Sequence, residues 1–79
     1  MNSELTILKI LKGAHPQMIN MGTLWSEVLM EDQAVVYSAF KTALRTLEEK
    51  GQVVVILGED RNKAKITTEG LARLAENNL

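Results

Sequence analysis

At Gly51 the apolar pattern of this chain changes its period. Upstream, in "FKTALRTLEEK", Phe40, Ala43, Leu44 and Leu47 recur at steps of three and four, the spacing of one helical face. Downstream, Val53 to Ile56 form an unbroken β-branched run ending in Leu57, which suits a strand and not a helix. A helix that stops at a glycine and passes directly into a strand commits the chain to a mixed architecture. With 79 residues, 46% of them apolar, there is material for one small domain. Such a domain buries only about 60% of its unfolded surface.

The helix ending at Gly51 is expected to span residues 33–50, with Asp32 as its cap and Val36, Ala39, Phe40, Ala43, Leu44 and Leu47 facing inward. Ser38, Lys41, Thr42 and Arg45 lie at offsets of three, four and seven and share the opposite, polar face. A shorter helix is expected over 22–31, with Thr23 as a candidate cap and Leu24, Trp25, Val28 and Leu29 as its apolar stripe. A turn of two or three residues would join the two, which is the layout of a helix-turn-helix.

Residues 3–12 read as a first helix with Ser3 as cap and Glu4 near the positive end of the dipole. Its apolar residues Leu5, Ile7, Leu8, Ile10 and Leu11 cover more than half the circumference. That breadth fits either a central helix or one that also meets a partner chain. Gly13 and Pro16 make residues 13–20 a connection, and His15 within it reads as a plain surface residue. Beyond Gly51, residues 52–67 are expected to form a β-hairpin whose loop and outer face carry Arg61, Lys63 and Lys65, with Ala64 and Ile66 turned inward. A last helix is expected over 68–77, opened by Thr67 or Thr68.

The order helix, helix, helix, hairpin, helix resembles the winged helix-turn-helix family, and within it the multidrug-resistance-regulator and phenolic-acid-regulator types of transcription regulator. "LRTLEEKGQVVV" is similar to that family's recognition helix entering the first wing strand, and "KAKITTEGLARL" to its second wing strand entering the following helix. The resemblance implies a mainly α fold with a small β-hairpin, double-stranded DNA as partner and a role in transcription regulation. Mapped onto this chain it implies DNA contacts by Gln33, Ser38, Lys41, Thr42 and Arg45 from the helix. Arg61, Lys63 and Lys65 would touch the backbone from the 58–65 wing. It also implies a homodimer paired through the N- and C-terminal helices.

Other classes have less support in the residues. One histidine and no cysteine leave no nucleophile-base pair and no metal-ligand cluster, so neither an enzyme nor a cofactor is expected. The lack of cysteine and of a long apolar run fits a soluble, cytoplasmic chain without a membrane span. The formal net charge of −1 gives no overall attraction to nucleic acid. Residues 52–68, however, are locally basic, with Arg61, Lys63 and Lys65 against Glu59 and Asp60. The alternative is a winged-helix protein-interaction module without DNA binding, which would expose apolar anchors on the face where Ser38, Lys41, Thr42 and Arg45 lie. No effector domain is marked, which confines any sensing to the dimer interface or to the space near Trp25.

Overall fold

The computed structural model describes residues 3–58 and 62–79. In chain order they form α1 (Ser3–Ala14), β1 (Ile19–Asn20), α2 (Met21–Glu31), α3 (Tyr37–Glu49), β2 (Val53–Leu57), β3 (Asn62–Ile66) and α4 (Thr68–Glu76). The three strands make one antiparallel sheet in the order β1-β3-β2. Val53 is opposite Ile66 and Leu57 opposite Asn62, while Ile19 is opposite Ala64.

α1 is the central element. Ile7, Leu8 and Leu11 are fully buried, and Leu5 and Ile10 pack against the core from its margin. The helix touches α2, α3, β3 and α4, so most of its wide apolar arc is used within the chain, with Leu5 and Ile10 left half-buried. Leu24 and Val28 of α2, Phe40, Ala43, Leu44 and Leu47 of α3, Val53, Ala64 and Ile66 of the sheet, and Leu74 of α4 complete the core.

Several local expectations are corrected. Ser3 is the first residue of α1 itself, and the helix runs through Gly13 to Ala14 before it ends. A glycine inside a last turn weakens a helix without ending it. Asn20, not Thr23, is the N-cap of α2, and it makes no side-chain cap bond. The stretch read as pure connection contains β1, whose two residues gain their pairing from distant β3. Helix α3 begins at Tyr37 rather than at residue 33, so the link from α2 is five residues, 32–36. Asp32 caps a turn there, accepting from the Ala34 amide at 3.0 Å, and Val36 is the N-cap of α3. In consequence Val36 and Ala39 are exposed and do not belong to the inward face.

The two ends of the hairpin are anchored as the residue types suggest. Gly51, just past α3, adopts φ 73°, a conformation that glycine reaches at little cost. Thr67 caps α4 by accepting from the Gly70 amide at 3.3 Å, and its hydroxyl donates to the Gly51 carbonyl at 2.6 Å. Gly70 has a packing reason as well: a Cβ there would lie 2.6 Å from Ile66 Cγ1 and closer still to the Gln52 carbonyl oxygen.

Glu4 does more than favour the start of α1. Its carboxylate accepts from Arg73 Nη1 at 2.7 Å and lies 3.5 Å from Lys50 Nζ, tying α1 to α4 and to the end of α3. The Arg73 hydrogen bond, with smaller help from the two positive charges, outweighs partial burial and holds the carboxyl below its ordinary value of 4.5. A depressed folded-state pKa adds stability above that ordinary value, and the gain is lost as pH falls through the lower, folded value. The stability difference between wild type and Glu4→Gln, read from urea midpoints, is therefore expected to be present at pH 7 and to shrink toward zero as pH falls below 4.5 and through the lower folded value. A difference independent of pH would contradict this ion-pair role.

Candidate nucleic-acid interface

Helix α3 is divided along its length. Phe40, Ala43, Leu44 and Leu47 face the core, and Ser38, Lys41, Thr42 and Arg45 are all exposed on the other side. Thr46 turns its hydroxyl back to the Thr42 carbonyl at 3.0 Å, which satisfies it within the helix. Glu48 and Glu49 are also exposed at the C-terminal end, so the acids gather where the helix leaves for the wing. Gln33 lies outside the helix, exposed in the 32–36 link, and not at the helix start where the sequence put it.

The sheet supplies a second surface. Ala64 and Ile66 of β3 are buried, so the alternation of a strand sends Lys63 and Lys65 to the outer face. Lys63 is opposite Ile56 and Lys65 opposite Val54, and cross-strand partners share a face. The outer face of the wing therefore combines two lysines with two exposed apolar side chains. Arg61 lies outside the described residues.

The cations divide into two groups. Lys50 and Arg73 are engaged with Glu4, and Lys12 Nζ donates to the Leu79 carbonyl at 3.1 Å. Lys9, Lys41, Arg45, Lys63 and Lys65 form no ion pair with any carboxylate among the described residues. Lys9 lies apart on α1, and the other four positive charges sit on α3 and β3, elements linked through β2, which packs on α3 and pairs with β3.

At the N-terminal end of α3 lies an aromatic cluster that sequence reasoning did not foresee. Trp25 of α2 meets Tyr37 edge-on, with ring centroids 5.3 Å apart at 74°, and Phe40 at 5.0 Å. Lys41 Nζ lies 5.8 Å from the centre of the Tyr37 ring, one helical turn on. Trp25 thus packs partly into the core while fixing the N-terminal end of α3 to α2. The available signal was Tyr37 four residues before Lys41, the spacing that stacks two side chains on one helix face.

Among the described residues no group of three histidine, aspartate or glutamate side chains comes together as a metal site, and no helix is long and apolar enough to cross a membrane.

No protein-family model matches the chain, and no curated protein does. Solved structures do. A peroxide stress regulator from Campylobacter jejuni superposes with a TM-score of 0.72 at 28% identity, over 84% of this chain and 48% of that one. A transcriptional regulator from Clostridium thermocellum superposes with a TM-score of 0.76 at 20% identity, over 95% of this chain and 75% of that one. The chain thus spans about half the length of the Campylobacter protein. The likeness shows the fold: the chain is a winged helix of the kind found in transcription regulators.

Proposed function

We propose that this chain binds double-stranded DNA as a sequence-specific transcription regulator, with α3 in the major groove and the 58–65 wing on the backbone. The observation that carries the reading is the division of α3: an exposed face of Ser38, Lys41, Thr42 and Arg45 backed by a fully packed one. A helix of this kind fits a groove about 12 Å wide while its rear remains in the core. Arg45 and Lys41 present donors suited to guanine, and Ser38, Thr42 and Gln33 suit base edges or phosphates. Arg61, Lys63 and Lys65 are phosphate contacts, which position the protein without reading sequence. The two regulators of the same fold support this direction.

The protein acts in the cytoplasm as a homodimer, paired through α1 and α4. Leu79, 41% exposed beside α1, and the half-buried Leu5, Ile10 and Leu71 supply the remaining apolar surface of the terminal helices. Sedimentation at increasing concentration tests the pairing, and a monomer throughout would remove it.

A second reading, a protein-interaction module, is favoured by the exposed Val54, Ile56 and Leu57 on the wing. Fluorescence anisotropy with a pool of random-sequence duplexes at several salt concentrations separates the two. The three cations placed on phosphate correspond to a log–log salt slope of about −2.7 per subunit, or near −5.4 for a dimer. The neighbouring acids Glu48, Glu49, Glu59 and Asp60 make the expected slope shallower than that. Replacing Lys63 and Lys65 by alanine is expected to weaken binding on all sequences alike and to reduce the slope by about 2 per subunit. Absence of salt-sensitive binding would overturn the DNA reading and leave the interaction module.

A further inference from the structure

Val36 and Tyr37, the N-cap and first residue of α3, are 61% and 52% exposed. They place two apolar-bodied side chains at the start of a helix whose next exposed residues, Ser38, Ala39, Lys41, Thr42 and Arg45, are polar apart from the single methyl of Ala39. In a helix-turn-helix the N-terminal residues of the second helix are those that meet base edges. The apolar group that base edges offer in the major groove is the C5 methyl of thymine.

Tyr37 is also set for such a contact. Its ring is braced edge-on by Trp25 at 5.3 Å, so little side-chain freedom is left to lose on binding. Lys41, 5.8 Å from the ring centre, sets an ammonium beside the same ring, suited to a neighbouring phosphate or guanine.

Resting on the DNA reading above, we propose that Val36 and Tyr37 read thymine methyl groups, so that the preferred site carries thymine facing the start of α3. Covering one methyl corresponds to about a fourfold gain in affinity.

The test uses the tightest-bound duplex selected by the wild-type chain from a random pool, synthesised once with thymine and once with deoxyuridine at every thymine position. Deoxyuridine pairs identically and lacks only the methyl. Wild type is expected to bind the deoxyuridine duplex about fourfold more weakly or worse. Val36→Ala and Tyr37→Ala are each expected to narrow that ratio toward one. Val36 is open enough that its replacement keeps the test intact if Tyr37→Ala fails to fold. Equal affinity of wild type for both duplexes overturns this inference and leaves the DNA reading standing. A ratio unchanged in the variants also overturns it, because the methyls then meet other side chains. Binding to no duplex at all overturns both.

Discussion

Phe40→Ala is expected to lower the stability of the domain by about 3–5 kcal/mol, the cost of emptying a fully buried phenylalanine site. Phe40 has no exposed surface and lies within 5.0 Å of the Trp25 ring and 6.0 Å of the Tyr37 ring, where α3 is joined to α2. A chain of this size has a total stability on the order of 4–12 kcal/mol, so the loss is a large share of the whole. In urea the midpoint should fall by about 2–4 M, or the folded baseline should disappear. Trp25 fluorescence reports the change directly, because its ring contacts the replaced one. Lys41→Ala, on the exposed side of the same helix, should stay within about 0.5 kcal/mol of wild type. A Phe40→Ala loss below about 1 kcal/mol would mean that α3 is not held by this face.

The second large effect falls on binding. Arg45→Ala is expected to cost about 1–3 kcal/mol on the preferred duplex, roughly a 5-fold to 150-fold loss, with little change on the random pool and in stability. Arg45 is exposed mid-helix with no carboxylate partner among the described residues, so its guanidinium is available for a paired contact. Arg45→Lys keeps the charge but not the planar fork, and should bind the random pool like wild type without recovering preference. Equal losses on all sequences would make Arg45 a phosphate contact, and no loss on any would remove it from the interface.

Much of this fold was legible because its main signals are local. The end of α3 at Gly51 rests on one residue's conformational freedom, and the Thr67 cap rests on one hydroxyl. The buried side of α3 follows from the spacing of Phe40, Ala43, Leu44 and Leu47. What was not legible depends on distant partners. β1 is strand only because β3 passes beside it. The start of α3 was placed too early because Asp32 is a good cap by type, whereas here it serves a turn. Val36 and Ala39 then fall outside the core, since burial on a helix depends on which neighbours cover it.

The candidate site divides along the same line. Ser38, Lys41, Thr42 and Arg45 were legible as a face by periodicity, and the alternation of Lys63 and Lys65 followed from the strand. Gln33 was assigned to a helix that does not reach it. Tyr37 escaped notice because an aromatic residue beside apolar ones reads as core, and its exposure is set by the packing of α2 against α3.

The most direct test of the central claim is a titration of ¹⁵N-labelled protein with the random duplex pool, following each backbone amide by NMR. Salt-sensitive shifts are expected to concentrate in residues 36–45 and 62–65, with α4 amides nearly unmoved. Shifts confined to other surfaces, or no shifts even at low salt, would contradict a DNA-reading role for α3.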